Sequence, residues 1–140
     1  MNGSPELKPH VNASGLMLSD DLIFFSRVAA VARSQGLTVR QVKSMADLLE
    51  AARKYPPGGV IVDLQNPGLE LRSLLEGLQS TSASMPFVAA YGSHVEAATL
   101  HAARAEGCDR VMPRSLFVEL LEGSLASWLG AAAAGRDEPS

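Results

Sequence analysis

Gly59-Val60-Ile61-Val62-Asp63-Leu64-Gln65-Asn66-Pro67-Gly68 is the stretch on which the fold turns. Four residues without a polar side chain run into one carboxylate, and after three more residues Pro-Gly breaks the chain. A short continuous apolar run bounded by turn residues suits a strand of a parallel sheet covered on both faces, because neither side of such a strand meets water. Upstream, Tyr55-Pro56-Pro57-Gly58 ends a helical pattern that carries Ala46, Leu48, Leu49 and Ala52 and that Ser44 is placed to cap. Leu37 to Val42 is rich in β-formers. Before it lies a helical pattern with Leu22, Phe25, Ala29 and Ala32 on one face, opened by Ser19 or Asp20 as cap and stopped by Gly36. Gly15-Leu16-Met17-Leu18 is the first apolar run.

Downstream the alternation continues. Leu69, Leu71, Leu74, Leu75 and Leu78 form the apolar set of a third helix, followed by a Ser/Thr-rich link from Ser80 to Ser84. Phe87 to Tyr91 reads as a fourth strand, Val95 to Glu106 as a fourth helix ending at Gly107, and Arg110-Val111-Met112 as a short fifth strand. Ser115 opens a last helix with Leu116, Leu120, Leu121, Leu125 and Trp128. Five strand–helix units in strict alternation predict an α/β fold with a parallel sheet and helices on both faces. Right-handed crossovers reduce the topology to a doubly wound (βα)5 sheet, flavodoxin-like, in strand order 2-1-3-4-5. Residues 1–14 read as a flexible lead, 15–129 as the domain and 130–140 as a flexible tail.

Composition sets limits on function. The chain has 140 residues, 46% of them hydrophobic and 19% charged, with a formal net charge of −3. A chain of this length buries about 68% of its unfolded surface, enough for one core and one domain. The acidic balance argues against nucleic acid as a partner, and the scattered cations against a polybasic membrane patch. The one cysteine, Cys108, makes no internal disulfide or multi-thiolate zinc site and reads as a small hydrophobe. No apolar stretch approaches the ~20 residues of a membrane span, and no secretory signal opens the chain, so the cytoplasm is the expected location. Gly-x-Ser-x-Gly, Walker A and Gly-x-Gly-x-x-Gly patterns are missing from the sequence.

In an open α/β sheet, ligands bind beyond the carboxyl ends of the strands. The residues there are Ser19, Asp20 and Asp21; Asp63; Tyr91, Gly92 and Ser93; and Pro113 and Arg114. Carboxylates of this kind can hold a hard divalent cation with several waters, or attack phosphorus. Ordinary structural roles compete for the same residues. Asp63 can cap the following turn; Asp20 and Asp21 can serve the first turn of a helix; Ser93 can cap the fourth helix. Tyr91 can pack on the fourth helix with its hydroxyl at the surface, and Arg114 can be a solvated cation. His94 and His101, seven apart on the fourth helix, could face one side of it, but with no third ligand nearby they do not read as a metal site.

From Gly15 to Trp128 the chain resembles the receiver domain of two-component response regulators. The resemblance is carried by Leu18-Ser19-Asp20-Asp21, by the strand ending at Asp63 with its Pro67-Gly68, by Pro86 to Tyr91, by Gly107-Cys108-Asp109, and by Arg114-Ser115 with Glu119-Leu120. It implies a signalling domain that acts through protein–protein contacts. Asp63 is then the phosphoacceptor toward a histidine kinase or phosphotransfer protein. Mg2+ is held by Asp20, Asp21 and Asp63, and Tyr91, Ser93 and Arg114 contact the phosphoryl group. A downstream protein or a second copy in a homodimer would receive the signal, with neither an enzymatic nor a DNA-binding domain attached. The pattern departs from the family at three places. Ser19 stands where the first of an acidic pair is expected, Tyr91 where a Ser or Thr is, and Arg114-Ser115 where Lys-Pro is. A shifted alignment puts Met112 at the lysine and Pro113 at the proline; the ungapped one keeps Glu119-Leu120 in register. A serine offers a cation one charge less than a carboxylate, and arginine lacks the compact ammonium of lysine. A phosphorylation-independent pseudo-receiver scaffold is therefore the alternative, followed by a small-molecule-binding flavodoxin-like domain. The acidic Ser19-Asp20-Asp21 would repel a flavin phosphate in the latter.

Overall fold

The computed structural model describes residues 14–81 and 84–130. The strands are β1 (Ser14–Leu18), β2 (Thr38–Val42), β3 (Gly59–Asp63), β4 (Phe87–Gly92) and β5 (Arg110–Pro113). The helices are α1 (Leu22–Ser34), α2 (Met45–Lys54), α3 (Leu71–Thr81), α4 (Ala97–Glu106) and α5 (Arg114–Trp128). All strand pairs are parallel, in the order β2-β1-β3-β4-β5. This is the expected doubly wound sheet. Ser14 already belongs to β1; the rest of the N-terminal lead, the C-terminal tail beyond Gly130 and the middle of the Ser80–Ser84 link lie outside the described residues.

Helices cover both faces, so the central strands are buried except for the first residue of β1 and of β4; all five residues of β3 are buried. Met17, Ile61, Ala89 and Met112 point to the α1–α5 face, where they meet Phe24, Val28, Ala32, Phe117, Leu121, Leu125 and Trp128. Leu16, Leu18, Val60, Val62, Val88, Ala90 and Val111 point to the opposite face, against Leu48, Ala52, Leu74, Leu75, Leu78, Leu100 and Ala103. The period-2 alternation of a strand makes this division. Gly59 permits a close approach at its foot: a Cβ there would lie 1.9 Å from the Trp128 carbonyl oxygen.

Helix starts differ from the sequence reading in informative ways. The buried stripe of α1 is Phe24, Val28 and Ala32, while Leu22 is 58% exposed. Two phases of the same helix are both apolar here, and packing of Phe24 against Tyr91 and Phe117 selects one of them. The cap of α1 is Asp21, whose Oδ1 accepts from Phe24 N at 2.9 Å, rather than Ser19 or Asp20. Ser19 is drawn inward instead. Ser44 caps α2 through Asp47 N as expected. Helix α4 starts at Ala97, after His94, so the two histidines do not share a helix; both are exposed. Helix α5 starts at Arg114, not Ser115, because Pro113 ends β5 in an extended conformation and its fixed φ suits the residue before a first turn.

Candidate functional site

Ser19, Asp63 and Tyr91 stand side by side at the carboxyl edge of β1, β3 and β4. Register dictates the row: Leu18 pairs Val62 and Asp63 pairs Tyr91, so all three fall on one level and on the α1–α5 face. Ser19 is fully buried and Asp63 is 7% exposed. The Ser19 hydroxyl donates to Asp63 Oδ2 at 3.3 Å and accepts from Asp21 N at 3.1 Å. Asp63 Oδ1 accepts from Gln65 N at 2.9 Å, the turn-capping role open to any Asp at a strand end. Both carboxylate oxygens are thus engaged by the chain itself. Gln41 Nε2 donates to the Ser19 carbonyl at 2.9 Å and fixes the backbone from β2.

Tyr91 does not present its hydroxyl at the surface. Its ring sits between Phe24 and Phe117, at centroid distances of 5.2 and 4.8 Å, and its Oη is buried with no hydrogen-bond partner among the described residues. Tyrosine is the residue type that fills the aromatic face from β4 while leaving a polar tip at the row's level. Burial, followed by the negative charge of Asp63, pushes the phenol far above its ordinary value of 10.0, so it stays protonated.

Arg114 lies across the outer side of this cluster. Its guanidinium carbon is 3.9 Å from the Phe24 ring centroid, and Nη2 donates to Asp21 Oδ2 at 3.2 Å. The arginine therefore fastens the first turn of α5 to the first turn of α1 over an aromatic ring. It is held rather than freely solvated. Met112, the other candidate for the cationic position, is buried in the core. The Phe24 amide and then Arg114 hold the Asp21 carboxyl below its ordinary value.

The sequence-derived set is only partly assembled. Asp63 and Tyr91 come together, with Ser19 between Asp63 and the α1 cap. Asp20 is exposed and makes no side-chain hydrogen bond among the described residues. Asp21 is committed to Phe24 and Arg114. Ser93 is half-buried and its Oγ accepts from Val95 N at 3.3 Å, in the turn before α4. Among the described residues, no three His, Cys, Asp or Glu side chains gather at one point. The buried row offers a cation one carboxylate, Asp63, beside a neutral serine and a phenol, while Asp20 stays at the surface. Ser19 as a partner of Asp63, and Phe24 as the platform for Arg114, were not legible beforehand. A serine directly after an apolar strand, where an acid is expected, was the one available signal.

A parallel five-stranded sheet with polar side chains collected at the carboxyl ends of β1, β3 and β4 defines a flavodoxin-like α/β domain. More narrowly, the chain has the fold of response-regulator receiver domains. It superimposes on the receiver domain of NtrX from Brucella abortus with a TM-score of 0.62 and 19% identity, over 79% of this chain and 98% of that one. In the longer NtrX chain the match covers 28% of that protein. The receiver domain of Francisella response regulator 1452 gives 0.68 at 15% identity, over 83% and 95%. The beryllofluoride-activated NtrC4 receiver domain dimer gives 0.67 at 12%, over 83% and 98%. No protein-family model and no curated protein matches the chain by sequence.

Proposed function

We propose that the chain is a receiver-like signalling module that works through protein–protein contacts, with its pocket held in one state by its own side chains rather than switched by phosphoryl transfer. One observation carries this reading: the buried Ser19 hydroxyl occupies Asp63 Oδ2 while the Gln65 amide occupies Oδ1. Attack on phosphorus needs a carboxylate oxygen turned to the pocket and a cation to neutralise the charge that develops, whereas one acceptor position on each Asp63 oxygen is already taken by the chain. Here the Arg114 guanidinium is fastened to Asp21 and Phe24. In this reading Asp63 is a structural acceptor, Arg114 is a clamp between α1 and α5, and the domain turns over no substrate. Its partner is a downstream protein or a second copy, not an obligatory histidine kinase. No helix among the described residues is long and apolar enough to cross a membrane.

The test is an amide NMR titration of the full chain with beryllofluoride at millimolar Mg2+. The expected result is no change at residues 18–21, 63–66 and 90–94. Magnesium-dependent shifts there, abolished in Asp63→Asn, would overturn the proposal and make Asp63 a phosphoacceptor.

A further inference from the structure

Charge is unevenly divided along this acidic chain. Residues 27–54 hold six cations, Arg27, Arg33, Arg40, Lys43, Arg53 and Lys54, against the two acids Asp47 and Glu50. Residues 55–128 hold four cations and eight acids. All six cations of the first group are exposed. Arg53 pairs with Glu50, and no other member of the group forms an ion pair among the described residues.

Topology brings this basic segment to one border. Among the described residues β2 pairs with β1 alone and is an edge of the sheet. The Val42 carbonyl accepts from Ser19 N at 3.1 Å and so faces inward, toward β1. Amide and carbonyl of one strand residue point the same way, and the direction alternates along the strand. The backbone groups of Val39 and Gln41 are therefore left on the open side. A groove of about 210 Å³ lined by Ala29, Arg33, Leu37, Thr38 and Val39 runs beside this edge on the α1 side. On the α2 side the Arg40 guanidinium sits over the Tyr55 ring, 5.7 Å from its centroid, close in sequence to Lys54.

We propose that the open edge of β2 binds an extended acidic segment of a partner protein. The segment adds as a sixth strand, taking backbone hydrogen bonds from Val39 and Gln41. Its carboxylates meet Arg33 on one face and Arg40 with Lys54 on the other. Backbone pairing supplies adhesion and the flanking charges supply selectivity, as in strand addition generally. A long polyanion is disfavoured: a nucleic acid or anionic bilayer crossing this border also meets the acidic remainder of a chain with net charge −3. A short strand confined to residues 38–42 avoids that repulsion. The proposal is independent of the state of Asp63.

The probe is a blocked ten-residue peptide of alternating Glu and Val, titrated into the 15N-labelled full chain. Amide shifts are expected at residues 37–43, with slowed hydrogen exchange at Val39 and Gln41. A Gln-for-Glu peptide, and an Arg33→Glu/Arg40→Glu variant, are each expected to bind roughly tenfold more weakly. Arg110→Glu, on the other border, is expected to leave binding unchanged. A peptide N-methylated at alternate amides keeps its charge and is expected to lose binding, because it cannot pair as a strand. Absence of shifts at residues 37–43, undiminished binding of the N-methylated peptide, or equal affinity for heparin or phosphatidylglycerol vesicles would overturn the proposal.

Discussion

Among the described residues, the buried hydrophobic side chains on the α2–α4 face of the sheet are leucine, valine and alanine alone, whereas the α1–α5 face takes up six of the chain's seven aromatic residues. The aliphatic side is a generic seal, where hydrophobic volume matters and shape is forgiving. The aromatic side has directed geometry: Trp128 stacks on Phe117 at 5.0 Å, Phe117 meets Tyr91, and Tyr91 meets Phe24, on which Arg114 rests. That series ends in the row of Ser19, Asp63 and Tyr91. One layer thus holds the fold together and the other, besides doing so, carries the row of Ser19, Asp63 and Tyr91.

Phe117→Ala tests this coupling most severely. Removing a fully buried ring costs about 3–5 kcal/mol, read by urea denaturation. Because Tyr91 loses a neighbour, amide shifts at Ser19 and Asp63 are also expected to move. Leu74→Ala on the aliphatic face costs about 2–4 kcal/mol, since Leu74 too is fully buried, but is expected to leave those shifts in place. Equal perturbation of Asp63 by both variants would abolish the distinction between the faces.

The layered architecture and the strand order were legible in the sequence because the periodicities are strong: Val60-Ile61-Val62 has no polar member, and Gly36 and Gly107 stop helices in left-handed conformations, at φ 75° and 119°. The phase of α1 was not. Leu22, Phe24 and Phe25 are all apolar, and only a partner on another strand, Tyr91, decides which of them turns inward. The level of Asp63 and Tyr91 follows from strand register, so their meeting was legible once the topology was. What Asp63 bonds to was not, because a serine hydroxyl serves equally as cap, ligand or donor until its neighbours are placed. Asp21 illustrates the same limit, since its commitment to Arg114 joins residues 93 positions apart.

Tyr91→Phe sharpens the comparison at the border of core and site. The Oη is buried and without a partner among the described residues, so deleting it removes an uncompensated polar group, and stability is expected to stay level or rise by about 1 kcal/mol. A loss of that size would show that the hydroxyl bonds to Asp63 in solution. The phenol has a second signature. Its folded pKa lies above its ordinary value of 10.0. The unfolded chain then releases this proton first as pH rises, so the group's contribution is complete below pH 10.0 and is lost above it. Wild-type stability is expected to fall on the alkaline side, and Tyr91→Phe to fall less steeply.

The smallest effect belongs to the clamp on the outside of the aromatic face. Asp21 and Arg114 are 38% and 45% exposed, so water and salt screen their attraction. Arg114 nonetheless touches Phe24 as well, and a guanidinium on a ring is less sensitive to ionic strength than an ion pair. The two contacts separate in a double-mutant cycle of Asp21→Asn and Arg114→Ala. The coupling energy is expected to shrink from low to high salt, while the remaining loss in Arg114→Ala persists. The Asp21 carboxyl is held below 3.8, first by the Phe24 amide and then by Arg114. A depressed folded pKa means that its contribution is present above the unfolded value and disappears as pH falls through the folded one. Coupling between residues 21 and 114 should therefore begin to fade as pH drops below 3.8 and vanish once it has passed the lowered folded value, while the aromatic contact remains. If instead the whole Arg114→Ala loss disappears with acid or salt, charge alone joins α1 to α5, and the aromatic face ends at Phe24.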